Sequence, residues 1–176
     1  MRWLVDGYNV IRRAPDLISR ERESLEAGRR ALCALLGEVA RASEDTFTVV
    51  FDGAQAGGAA GGGSGVTVIF SSARESADGV LSRMARDGGA VVSNDREVRR
   101  AAERAGAIVV TTDQFLARLD QACAVPPGVV ADEKDSEEEP PSRPRKGNPR
   151  RLSKKERETQ RALGRLVPGR HPRSRN

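Results

Sequence analysis

The sequence predicts an α/β fold, with a central parallel sheet of about five strands covered by helices on both faces. Three observations lead there. Short apolar runs alternate with stretches of helical periodicity from residue 2 to residue 121. The runs are continuously apolar, as strands buried on both faces must be. The joints between them carry Gly after the helical stretches and Ser, Thr or Asp before them, which is the punctuation of βα units.

The first strand is expected at 2–6 and a long helix at 19–42, where Leu25, Leu32, Leu36 and Val39 recur near helical spacing. Strand two is read at 46–51 and strand three at 66–70, joined by a Gly/Ala-rich stretch from Gly53 to Gly65. That stretch matches neither phosphate-loop spacing and precedes a strand, so it reads as a flexible connection or a flap beside a site. A helix at 73–87 stops at Gly88-Gly89, strand four follows at 90–93, and a helix at 95–105 ends on Gly106. Strand five is Ala107 to Val110, and Thr112 is placed to cap a last helix to about residue 121.

After Pro126-Pro127-Gly128 the composition changes. The division expected is a folded domain over 1–122, an acidic, Pro-rich linker over 123–142 and a basic, largely disordered tail over 143–176. Net charge is +5, yet residues 143–176 alone carry 13 Lys and Arg against 2 Asp and Glu. Such a tail suits a polyanion, nucleic acid first, or serves as a solubilising extension. Within it, Ser153-Lys154-Lys155-Glu156 has the form of a capping box, so a short helix over 154–166 is expected on a partner. Leu163 and Leu166 would be its apolar anchors. No apolar run reaches membrane-spanning length, no leader is visible, and Cys33 and Cys123 lack metal spacing. A cytoplasmic protein without a membrane partner is expected.

The chemistry lies where the strands end. Strand one runs into Asp6, strand two into Asp52, and strand four into Asn94-Asp95, while Glu75 and Asp78 follow strand three. In a parallel sheet all these ends share one edge, so carboxylates far apart in sequence would meet there. Each has a structural alternative. Asp6-Gly7-Tyr8-Asn9 can be an Asx turn with Asn9 as N-cap, and Ser72-Ala73-Arg74-Glu75 can be a capping box. Asp52, Asp95 and Asp113 can be turn or cap residues. Collectively these alternatives weaken, because two carboxylates about 4 Å apart repel by roughly 4 kcal/mol at an effective dielectric near 20. A cation must offset that, either Arg96 or Arg99 or a divalent metal, or else a proton must bind. The single His, His171, lies in the tail, so metal-activated water suits this chain better than His-driven ribonuclease chemistry.

Asp6-Gly7-Tyr8-Asn9, Phe51-Asp52-Gly53, Glu75-Ser76-Ala77-Asp78 and Ser93-Asn94-Asp95-Arg96, in that order, resemble the NYN domain in its YacP-like branch, within the PIN-like nucleases. The resemblance covers about residues 1–122. It implies a PIN-like three-layer sandwich with strand order 3-2-1-4-5 and metal-dependent cleavage of RNA. It also implies Asp6, Asp78 and Asp95 as acids holding Mg²⁺ or Mn²⁺, with Asn9 supporting the first. Asp52, Glu75 and Asn94 are further candidates. Some relatives place another acid one turn after the strand-four Asp, where this chain has Arg99.

The function expected is therefore a metal-dependent endoribonuclease. Its target would be mRNA, with cleavage at the ribosome, since some YacP-like proteins are associated with both. RNA contacts are assigned to Arg96, Arg99, Arg143, Arg145, Lys146, Arg150, Arg151, Lys154 and Lys155. The alternatives are an inactive RNA- or ribosome-binding protein, a DNA-cutting relative of flap nucleases, and an aspartyl phosphatase. The last is disfavoured because Tyr8 stands where its second Asp would be.

Overall fold

The structure, a computed structural model, describes residues 1–53, 65–124 and 152–166. The Gly/Ala connection, the acidic linker, and Arg143, Arg145, Lys146, Arg150 and Arg151 lie outside the described residues.

Five strands form one all-parallel sheet: β1 (Arg2–Asp6), β2 (Thr46–Phe51), β3 (Val66–Phe70), β4 (Ala90–Val92) and β5 (Ile108–Val110). Their spatial order is β3-β2-β1-β4-β5, as the resemblance implied. The strands are short and apolar because the central ones are buried on both faces, and the two-residue period divides their side chains between two cores. Trp3, Val5, Phe47, Val49, Phe51, Val92 and Val110 enter one core. Leu4, Val50 and Val91 enter the other.

Helices α1 (Gly7–Ile11), α2 (Pro15–Glu23), α3 (Leu25–Ser43) and α6 (Thr112–Ala124) belong to the first face, where Ile11, Leu17, Leu36 and Phe115 are buried. Helices α4 (Ala77–Met84), extended by a 3-10 turn at Ala85–Asp87, and α5 (Arg96–Arg104) cover the second through Val80, Leu81, Val98 and Ala102.

The single helix expected at 19–42 is two helices broken at Ser24. Ser24 is extended, and its hydroxyl accepts from Ala27 N at 3.0 Å, so it ends α2 and caps α3. The break folds α2 back on α3 at Gly28, where a Cβ would lie 3.0 Å from Glu21 Cα. The periodic residues Leu25, Leu32, Leu36 and Val39 all lie in α3, after the joint, so their spacing carries no signal of the break.

The tail helix forms where the capping box placed it, as α7 (Lys154–Arg165). Glu156 N donates to Ser153 Oγ at 3.2 Å and Ser153 N to Glu156 Oε2 at 2.7 Å. Its partner is this chain's own sheet edge. Thr159 Oγ1 donates to Val109 O at 3.0 Å, Arg118 Nε to Leu163 O at 2.9 Å, and Ala162 and Leu166 are buried in the first core. Apolar anchors on a helix this short suffice because β5 is an edge strand needing cover.

Candidate active site

The chain runs β1 to β2 to β3 on one side of the sheet, then returns to place β4 on the other side of β1. The strand order thus reverses between β1 and β4, and the ligand crevice of such sheets opens there, beyond the strand C-termini. Asp6 ends β1 at this point and Ser93 follows β4. Ser93 Oγ donates to Asp6 Oδ2 at 3.0 Å across 87 residues of sequence.

Asp6 also caps α1, its Oδ1 accepting from Asn9 N at 3.2 Å. Gly7 permits this turn for lack of bulk: a Cβ there would fall 2.2 Å from Phe51 Cε1. Burial raises the Asp6 pKa above 3.8 despite the bonds from Ser93 and Asn9, with Asp95 adding repulsion and Arg12 opposing it. Asp78 sits in the first turn of α4, whose cap is Ser76. Its pKa is raised by burial first, then by Asp95, Asp6, Asp52 and Glu97. Asp52 accepts from Ser71 Oγ at 2.5 Å.

Asp95 caps α5, accepting from Glu97 N at 2.7 Å and Val98 N at 3.1 Å. Its cap role and its place in the acidic cluster coexist, because a strand-end residue entering a helix faces the crevice. The structure therefore brings Asp6, Asp52, Asp78 and Asp95 into one electrostatic neighbourhood. It adds Glu97, which sequence reasoning missed; the signal was its position two residues after Asp95 at the same helix start. Among the described residues, no group of three His, Cys, Asp or Glu side chains forms a ready-made metal cage.

Of the other candidates, one falls elsewhere and two brace the site. Glu75 precedes α4 and makes no capping box; its carboxylate accepts from Arg83 Nε at 3.0 Å and Nη2 at 3.1 Å. That forked pair holds its pKa below the usual range. Asn9 and Asn94 are braces. Asn9 Oδ1 accepts from Asn94 N at 3.3 Å and Thr112 Oγ1 at 3.0 Å. Asn94 Oδ1 accepts from Thr112 N, and its Nδ2 donates to Asp113, both at 3.0 Å. The cap of α6 is Thr111, not Thr112: Gln114 N donates to Thr111 Oγ1 at 3.2 Å, which leaves Thr112 for the brace.

Arg96 is exposed at the start of α5. Arg99 lines the groove between α5, β5 and α7 with Glu103, Lys155 and Thr159, and its buried Nε has no partner among the described residues. Lys155 pairs with Glu103 at 3.0 Å, and Lys154 is exposed. The cation acting on Asp6 is Arg12.

A cleft of about 780 Å³ opens over this edge, lined by Asp6, Asp52 and Asp78 together with Tyr8, Arg12 and Arg29. The YacP-like NYN domain matches residues 3–163.

The chain belongs to the YacP-like NYN domain family. The crystal structure of a tryptophan-to-leucine mutant of Rae1 (YacP) from Bacillus subtilis is similar, with 25% identity and a TM-score of 0.59. That match covers 68% of this chain and 75% of the other. A second Rae1 (YacP) structure from Bacillus subtilis, at 24% identity and a TM-score of 0.57, shares the fold over 69% and 74% of the two chains. No curated protein matches this chain. NYN domains of the YacP type are PIN-like and nuclease-like, and their function is on RNA. The family match reaches through most of α7, so the docked tail helix falls within it. Among the described residues, no helix is long and apolar enough to cross a membrane.

Proposed function

We propose that this YacP-like NYN domain is a metal-dependent endoribonuclease that hydrolyses RNA phosphodiester bonds, mRNA at the ribosome being its target. One observation supports the site above others: Asp6, at the reversal of strand order, is gripped by Ser93 while Asp78 and Asp95 crowd it electrostatically. An all-oxygen, acidic donor set suits Mg²⁺ or Mn²⁺, and Mg²⁺ keeps several waters, so it needs only one or two direct carboxylates. Asp6, Asp78 and Asp95 would hold the ion. When bound, it would supply an activated water and offset charge on the phosphodiester.

The remaining roles belong to the chain. Ser93 and the Asn9 backbone N–H orient Asp6, so that it meets its ligand with both oxygens already directed. The Asn9–Asn94–Thr112 brace ties the β4 and β5 ends to α1 and keeps Asp95 in register with Asp6. The basic tail would add phosphate contacts that weaken steeply with salt.

The test is cleavage of a labelled single-stranded RNA by the full chain with Mn²⁺, with Mg²⁺ and with EDTA, beside a DNA of the same sequence. Asp6→Asn and Asp78→Asn are expected to reduce cutting by about a hundredfold or more, the scale of losing a transition-state electrostatic contact. Undiminished cutting by Asp6→Asn would remove the basis of this reading. Binding without cutting, on RNA and on programmed ribosomes, would favour the inactive RNA-binding alternative.

A further inference from the structure

Arg29, in α3, is a cation where the core would not be expected to need one. It is 8% exposed and, among the described residues, forms no ion pair. Three aromatic faces surround its guanidinium: Phe70 at 5.0 Å, Tyr8 at 5.4 Å and Phe51 at 5.5 Å. Such faces offset part of the cost of burying charge, but an apolar side chain there would incur no such cost. Two of its nitrogens, Nε at 2.9 Å and Nη2, donate to Tyr8 Oη. The third, Nη1, has no partner among the described residues and is not among the nitrogens sealed from solvent.

Both residues line the cleft that holds Asp6, Asp52 and Asp78. Because Tyr8 Oη accepts from Arg29, its own hydrogen is free to donate outward. Arg12, mostly exposed, lies 5.3 Å from the same ring and also lines the cleft. The cleft thus carries acids from β1, the end of β2 and α4, and a cationic, hydrogen-bond-donating group from α1, its C-cap and α3. An acidic floor alone would repel a polyanion. A caged guanidinium with a free edge, beside a phenol, is preorganised for tetrahedral oxyanions.

We infer that Arg29, Tyr8 and Arg12 form a phosphate subsite that receives a backbone phosphate of single-stranded RNA next to the bond being cut. The inference rests on the nuclease reading for its position on the substrate, but not for the binding itself. Arg29 and Tyr8 are positioning residues: they hold a phosphate that does not react.

The experiment reads the two separately. Full-length, isotope-labelled protein is titrated in EDTA with a short oligoribonucleotide, following the Arg29 Nε–H and Tyr8 ring resonances. A saturable shift at both is expected. Shifts confined to tail residues would overturn the subsite whether or not the protein cuts RNA. Cutting by the wild-type chain with Mn²⁺ tests the nuclease reading alone. In steady-state cleavage, Arg29→Lys keeps the charge but loses the fork, and is expected to raise KM about tenfold with a smaller change in kcat. Tyr8→Phe keeps the ring and removes the hydroxyl, so it carries the test if the Arg29 variant fails to fold. Lowered thermal stability with unchanged KM in Tyr8→Phe would assign the pair to packing and overturn the proposal.

Discussion

Asp6 and Asp78 are held at a disadvantage by their surroundings. Both pKa values are raised, by burial first and then by neighbouring acids, opposed at Asp6 by two hydrogen bonds and Arg12. A carboxyl whose folded pKa exceeds its unfolded one binds its proton more tightly in the fold. Above the folded pKa it therefore opposes folding, and the penalty fades as pH falls through that value toward the unfolded 3.8. In EDTA near pH 7, Asp78→Asn is expected to raise Tm by about 1–2 °C, a small gain because solvent screens this residue. Near pH 4 the gain should vanish. Mn²⁺ should raise the wild-type Tm more than that of Asp78→Asn, by mass action on the folded state. Calorimetry across pH, with and without metal, checks all three. Under the proposed function, activity and stability are opposed at this residue, as is common where a site gathers like charges.

At the scale of elements, two joints decide the geometry. Gly7 stands between β1 and α1, against the Phe51 ring, and a methyl group at 2.2 Å cannot be accommodated without moving that ring. Gly7→Ala is expected to destabilise by about 1–3 kcal/mol. Adding Phe51→Leu should recover part of the loss, a coupling that a double-mutant cycle in urea would measure. Ser24 is the second joint, and Ser24→Ala should cost about 1 kcal/mol by loss of the α3 cap. These joints also show what local pattern could not convey. The leucines of 19–42 are helical in period, but all of them follow Ser24, so their period says nothing of the reversal that precedes them. The capping box at 153–156 was legible because both of its hydrogen bonds are local, and it forms as read. The box at 72–75 does not form, because α4 begins only at Ala77 under the Ser76 cap, and Glu75 pairs instead with Arg83, eight residues on.

Over the whole molecule, α7 changes the meaning of the tail. Its inward side places Thr159, Ala162 and Leu166 against the sheet edge and first core, while Lys154, Arg157, Arg161 and Arg165 are exposed. One helix thus closes an edge strand and presents a basic stripe. Leu166→Ala is expected to destabilise the whole fold by about 2–4 kcal/mol, since that side chain is fully buried. Replacing Arg157 and Arg161 with Gln should leave stability nearly unchanged and reduce the salt dependence of RNA binding. Urea unfolding and salt-dependent binding separate these two outcomes.

The sequence by itself determined the fold class, the strands to within a residue or so, and most of the acids that gather at the crevice. It could do so because strand periodicity and strand-end chemistry are local properties, and a parallel sheet brings strand ends to one edge. The motif order carried the family. Only the tertiary structure decided which acids act on one another. It joined Asp6 to Ser93, admitted Glu97 and diverted Glu75 to Arg83. It also made braces of Asn9 and Asn94, caged Arg29 among three rings, and drew the tail helix onto β5. Each of those outcomes depends on a partner distant in sequence or on another element, and no local pattern encodes the distance between them.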